Sequence, residues 1–125
     1  MIPLLFESYL LLLRLEFLMH FGDIRSIHTL VRQSQINNSA RKARRGAENI
    51  CRAIDIACVL YGHRVLCLQR SAAATLLLRR YGFRAELLIG AQVLPFKSHA
   101  WVEIDGCVVN DRPYMPEIYQ VLERC

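Results

Sequence analysis

The chain has 125 residues, enough for one domain with a modest core and a single active site or binding surface. With 54% hydrophobic and 22% charged residues it is not a disordered chain. Sixteen Lys+Arg against eleven acids leave a net charge of +5, which suits an acidic peptide, nucleic acid or membrane surface but also arises from arginines on solvated helix faces.

Residues 3–20 read as a helix with Leu, Phe and Met on most faces. A bilayer-spanning helix needs about 20 mostly apolar residues. Glu7, Arg14 and Glu16 interrupt this one, and each is costly in lipid. The helix is therefore expected to be buried or covered by a partner, with a membrane surface as the alternative, and no membrane span is expected. Gly22 ends it, and Asp23 caps a second, short helix over Ile24 to Arg32. The polar stretch Gln33 to Ser39 is loop-like. It divides an N-terminal helical arm, residues 1–38, from a main body, residues 39–125.

Arg41 to Leu60 reads as a long amphipathic helix, with Ala43, Ala47, Ile50, Ile54, Ala57 and Cys58 on its inner face. The basic cluster at its start, 41–45, has no interleaved aromatics, so a solvated helix start is read there and no nucleic acid is expected. After the link Y-G-H-R-V-L, Cys67 opens a further helix that closes on Arg79, Arg80 and Gly82. Arg84 to Ile89 reads as a strand, A-Q-V-L-P-F-K as a loop or lid, and Ser98 to Asp111 as a β-hairpin turning at Asp105-Gly106. The tail after Arg112 starts with two prolines and is expected to end in one helical turn or two. Helices first and a small antiparallel sheet after them make an α+β fold.

The five cysteines are odd in number and irregular in spacing, and no secretory signal is evident. Free thiols in a reducing, cytoplasmic compartment are expected. There is no C-x-x-C pair, and Cys58, His63 and Cys67 lack a fourth ligand at a usual spacing, so no metal or other cofactor is expected. Cys51 and Cys58 read as core, Cys107 as packing near the candidate site, and Cys125 as a free terminal thiol.

Cys67 is chemically marked, because a helix N-terminus favours the thiolate. A nucleophile needs a base, and the base needs an orienting partner. His99 and Asp111, at the two ends of the hairpin, fit those roles. A three-residue loop, Ile104 to Gly106, would pair His99 with Asp111 on one face; a two-residue Asp-Gly loop would pair Ala100 with Asp111 and turn Asp111 to the other face. A role for His99 and Asp111 selects the three-residue loop. The Cys67 backbone N–H is the first oxyanion donor, with Tyr61, His63 and Gln69 open as the second. Trp101 reads either as a shield for the His99–Asp111 contact or as a core aromatic, and Arg70 as a thiolate or substrate contact or a structural residue.

Cysteine on a helix N-terminus, then His and Asp on later strands, is the order of papain-like and transglutaminase-like cysteine enzymes. The segments C-L-Q-R-S-A-A-A-T-L-L-L-R-R-Y-G, A-E-L-L-I-G and P-F-K-S-H-A-W-V-E-I-D-G-C-V-V-N-D go further. Over residues 40–112 they resemble the leader-peptidase domain of lasso-peptide biosynthesis, the transglutaminase-like C-terminal part of the microcin J25-type B protein. His63 and Val65 stand in a link that often carries an aromatic, and Ala72 replaces a commoner Leu; both departures concern packing. The resemblance implies a transglutaminase-like cysteine peptidase with Cys67 as nucleophile, His99 as base and Asp111 as orienting acid. It implies removal of the leader from a ribosomally made precursor peptide. It also implies two partners, a separate leader-recognition protein and a lasso cyclase. A transglutaminase-like acyltransferase and a catalytically idle interaction module are the alternatives.

Overall fold

The computed structural model describes residues 2–22, 24–37, 44–61, 65–93 and 95–125. Four helices come first: α1 (Ile2–Phe21), α2 (Ile24–Gln33), α3 (Arg44–Leu60) and α4 (Cys67–Arg80). Then come β1 (Ala85–Gln92), β2 (Lys97–Ile104), β3 (Cys107–Val108), the one-turn helix α5 (Met115–Ile118) and β4 (Gln120–Arg124). Asp23, Arg41, Ala43 and His63, which the sequence reading assigned to a cap, a helix start and a link, lie outside the described residues.

The sheet is antiparallel in the order β3-β2-β1-β4. Alternation along β1 and β2 gives it two different faces. Ala85, Leu87, Ala100 and Val102 join the main core with Leu77 and Leu78 of α4, Ile50 and Ile54 of α3, Ile27 and Val31 of α2, and Leu11, Leu12 and Leu15 of α1. The N-terminal helix therefore contributes side chains to the same core as the segments that follow it. On its outer side α1 exposes Phe6, Leu10, Leu13, Phe17 and Phe21. Among the described residues no helix is long and apolar enough to cross a membrane. The opposite sheet face carries a smaller cluster of Leu88, Trp101 and Met115, with Tyr119 and Val121 against it.

Arg79 ties these layers together. The sequence reading placed it at the helix terminus for its charge; its guanidinium is in fact buried and donates to Ala85 O (2.9 Å), Val31 O (2.5 Å) and Ser34 Oγ (2.7 Å). One side chain thus satisfies three acceptors, two at the end of α2 and one at the start of β1, with the planar fork of a guanidinium.

Three expectations are corrected. β1 runs on to Gln92 and pairs with Lys97, so the segment read as a lid is mostly the end of a hairpin. The tail makes one helical turn and then β4, a strand the sequence reading missed. The prolines at 113 and 116 drew attention to a loop, whereas Q-V-L-E-R finds its hydrogen bonds on the free edge of β1, continued by reciprocal bonds between Leu87 and Cys125 (2.9 Å each). Third, the β2–β3 turn has two residues. Ile104 pairs with Cys107 and Glu103 with Val108, while Asp105 (φ 51°) and Gly106 (φ 81°) adopt the left-handed conformations of a type I′ turn. The three-residue loop is therefore absent. Cys107 is exposed at that turn, not packed.

Gly90 faces His99 across the β1–β2 ladder. A Cβ there would lie 2.8 Å from the Trp101 ring and 2.9 Å from Tyr119 Cβ. Glycine lets two aromatic side chains close over the strand. Gly90→Ala is expected to destabilise the protein by about 1–3 kcal/mol through overpacking, measured as a lower midpoint at unchanged m-value in urea unfolding; an unchanged midpoint would show that the aromatics have room to move.

Candidate active site

Cys67 is the first residue of α4, and Leu66 before it has extended backbone (φ −76°, ψ 156°). Arg70 N–H makes the first helical bond, to Leu66 O at 3.0 Å. Gln69 Oε1 accepts the Leu66 N–H at 3.0 Å, but a leucine side chain returns no capping bond. The first N–H groups of α4 thus lack a side-chain cap from Leu66, and they lie beside the Cys67 thiol.

Cys67 and His99 line one cleft of about 510 Å³, together with Met19, Val65, Leu66, Leu68, Ile89, Ser98 and Ala100. His99 Nε2 is 2.6 Å from Asp111 Oδ2. A carboxylate only accepts, so Nε2 carries the proton and Nδ1 is the nitrogen left to serve another group. The structure therefore joins His99 to Asp111 and sets Cys67 and His99 in the walls of one cleft.

The route to the His99–Asp111 contact differs from the one expected. In the observed register, continuing the ladder would set Asp111 opposite Ala100. The ladder stops first. Val109 N–H donates to Val102 O (2.9 Å), but the reciprocal acceptor for Val102 N–H is the Asn110 side chain, Oδ1 at 2.8 Å. Asn110 Nδ2 donates to Ser71 Oγ (3.0 Å), and Ser71 Oγ donates to Ala100 O (3.0 Å), a carbonyl that the continued ladder would have bonded to Asp111. Two side chains take over the ladder's bonds, the backbone bends, and Asp111 comes round to the imidazole. Neither Asn110 nor Ser71 was singled out in the sequence; the only signal was their presence in C-L-Q-R-S and N-D.

Asp111 has two further contacts. Its Oδ1 accepts the Arg112 N–H at 2.8 Å, and Arg70 Nη2 lies 3.6 Å from its Oδ2. Arg70 also reaches Asp55 Oδ1 at 3.4 Å, so it bridges α3, its own helix and the chain after β3. Burial alone would raise the Asp111 pKa. The hydrogen bonds from His99 and Arg112 and the charges of His99 and Arg70 outweigh that, and the carboxyl is held below its ordinary value. Arg70 thus faces the acid, not the thiol.

Aromatic rings fix the imidazole from behind. The Tyr119 ring stacks on His99 at 5.4 Å and 20°, and Trp101 lies 6.4 Å from it at 22°. Trp101 is wholly buried and donates its indole N–H to Glu103 Oε2 at 3.0 Å, so it is both core aromatic and cover for His99. Arg124 Nη1 stands 3.4 Å from Glu103 Oε1, pairing a carboxylate that is only 3% exposed. Tyr119, on the tail, carried no sequence signal.

Two of the three candidate oxyanion donors face elsewhere. Tyr61 O–H donates to Glu16 Oε2, and Tyr61 and Gln69 line a separate small cavity with Leu12, Glu16 and Val65. His63 lies outside the described residues. Among the described residues no cluster of His, Cys, Asp and Glu could hold a metal ion. Burial, with a smaller contribution from Asp55, pushes the Cys51 thiol up to about 11, and burial raises that of Cys58, so the thiolate is disfavoured in both.

Asn110→Ala leaves the buried Val102 N–H without its acceptor and is expected to cost about 1–3 kcal/mol in unfolding experiments. Because the folded carboxyl of Asp111 titrates below its ordinary value of 3.8, its contribution to stability is full above that pH and is lost as pH falls through the folded value. Asp111→Asn is therefore expected to flatten the acid limb of stability against pH below about 4; an unaltered acid limb would show that the contact contributes nothing.

A profile described as the transglutaminase-like superfamily matches residues 9–124. The microcin J25-processing protein McjB of Escherichia coli is 41% identical over 56 residues, which are 45% of this chain and 27% of that protein. The chain thus matches little more than a quarter of the length of that curated relative. No solved structure matches. The family match runs from α1 to β4 across the whole helix-and-sheet arrangement, and the chain belongs to the transglutaminase-like superfamily.

Proposed function

We propose that the protein is a cysteine peptidase that removes the leader of a lasso-peptide precursor. The observation that carries this reading is the placement of Cys67 and His99 in one cleft, with Asp111 on the far nitrogen of the imidazole. The similarity to a protein named for processing microcin J25 supplies the substrate class.

In this reading the Cys67 thiol gives its proton to His99 Nδ1, and the Sγ attacks the scissile carbonyl. The Cys67 N–H, at the uncapped start of α4, receives the developing oxyanion. The C–N bond breaks as His99 returns the proton to the leaving amine, the new N-terminus of the core peptide. His99 then takes a proton from water, whose oxygen attacks the thioester; the leader leaves as a carboxylic acid and Cys67 is restored. Asp111 holds the imidazole in the tautomer and orientation this needs and stabilises its charged form. Arg70 positions Asp111.

A leader-recognition protein and a lasso cyclase are the partners of this reading, and the exposed apolar face of α1 is a surface that such a partner would cover. The five free cysteines favour a reducing, cytoplasmic site of action.

The test is mass spectrometry of a precursor peptide incubated with the protein and its recognition partner. Cleavage at one bond, absent with Cys67→Ala, is the expected result. A product joined to an added amine instead of water would move the reading to acyl transfer, and an uncut precursor within a demonstrated complex would reduce the protein to an interaction module. Arg70→Ala is expected to lower kcat about 10- to 100-fold with little change in KM, and Arg70→Lys to recover part of it; equal activity in all three would remove Arg70 from the site.

A further inference from the structure

The N-cap of α4 favours Ser, Thr, Asp or Asn, whose oxygen satisfies an open N–H of the first turn, and disfavours leucine. This chain has Leu66 there, with no side-chain capping bond and 45% of its surface exposed. The residue forgoes a bond and leaves apolar surface in water. What it gains lies in the cleft: Leu66 forms one wall of the space that holds Cys67 and His99.

The other walls agree. Met19 comes from α1, Val65 and Leu68 flank the start of α4, and Ile89 comes from β1. In a chain with sixteen Lys+Arg and eleven acidic residues, none of the described residues that line this cleft is Asp, Glu, Lys or Arg. A charged side chain entering it would lose water against mostly apolar walls, whereas an apolar one would cover Leu66. The cleft volume, about 510 Å³, is within the range that accepts a large side chain with its backbone.

We propose that this cleft is a recognition site for an apolar side chain of the substrate peptide next to the scissile bond, with Leu66 and Met19 as its specificity determinants. The proposal rests on the peptidase reading for the word substrate, but the cleft's preference is measurable without turnover. Because Met19 belongs to α1, selection of the peptide is shared between the N-terminal helix and the segment that carries the nucleophile.

The experiment uses two series of peptidyl chloromethyl ketones. One carries Leu, Asp or Lys next to the reactive carbon, the other carries them one residue further away. The second-order rate of alkylation at Cys67 is followed by intact mass and mapped by digestion. In one of the two series the Leu probe is expected to react at least about tenfold faster than the Asp and Lys probes. Leu66→Ser, which supplies a cap, is expected to hold or raise the melting temperature while reducing that ratio severalfold, and Met19→Ala to reduce it as well. Iodoacetamide, which needs no side-chain site, gives the intrinsic reactivity of Cys67 in each of the three proteins, against which the probe rates are normalised. Equal rates for Leu, Asp and Lys in both series, or a Leu preference unchanged by both substitutions, would overturn the proposal. Failure of the peptidase reading is a separate result, an uncut precursor alongside a selective cleft.

Discussion

The Asn110 side chain stands in the ladder between β2 and β3, and the geometry of the candidate site depends on it. A two-residue turn at Asp105-Gly106 fixes a register in which Asp111 belongs opposite Ala100, on the wrong face for His99. Asn110 interrupts that register by accepting the Val102 N–H in place of a backbone carbonyl, and it ties the bend to α4 through Ser71. The strand pair, the helix that starts at Cys67 and the carboxylate beside His99 are thus held by one half-buried amide. A buried polar network of this kind is strong only when every member is paired. Here Asn110 Oδ1 and Nδ2 and the Ser71 hydroxyl each have a partner within 3.0 Å.

Around that amide, each side chain at the site is constrained from a different part of the chain. The imidazole of His99 is bonded to Asp111 on one edge and stacked against Tyr119 on its face, so both its tautomer and its ring plane are set before any ligand binds. Asp111 is held by His99, the Arg112 N–H and Arg70, and Arg70 is held by Asp55 on α3. The tail, through Tyr119 and Arg124, supports His99 and the Trp101–Glu103 pair from the outer face. This explains why a strand that the sequence reading did not anticipate matters to the site. β4 carries no cleft residue, yet it anchors the segment that bears Tyr119.

The helices and a small antiparallel sheet were legible in the sequence, because hydrophobic period and helix-end residues are local signals; Cys67, His99 and Asp111 stood out there by their chemistry and by the family resemblance. The hairpin turn is legible as Asp-Gly, but a direct cross-strand His99–Asp111 pair requires a three-residue loop, whereas the turn has two residues. The contact forms through a side-chain substitution in the ladder, which no alternation pattern encodes. β4 was missed because an edge strand with mostly exposed residues has little hydrophobic period. Arg79 was read as a terminal charge because its buried acceptors come from Val31, Ser34 and Ala85, far from it or from each other along the chain. Helical spacing left Arg70 open between a thiolate or substrate contact and a structural role; its partners are the carboxylates of Asp55 and Asp111.

The central claim is that Cys67, served by His99 and Asp111, forms a covalent intermediate with a peptide. Acid-quenched intact-mass analysis during turnover of a precursor peptide tests it most directly. The account predicts a transient adduct of the leader fragment's acyl mass, mapped to Cys67 and decaying as free leader accumulates. An adduct on another cysteine, or rapid cleavage with no adduct at any quench time and with undiminished rate in Cys67→Ala, would contradict it.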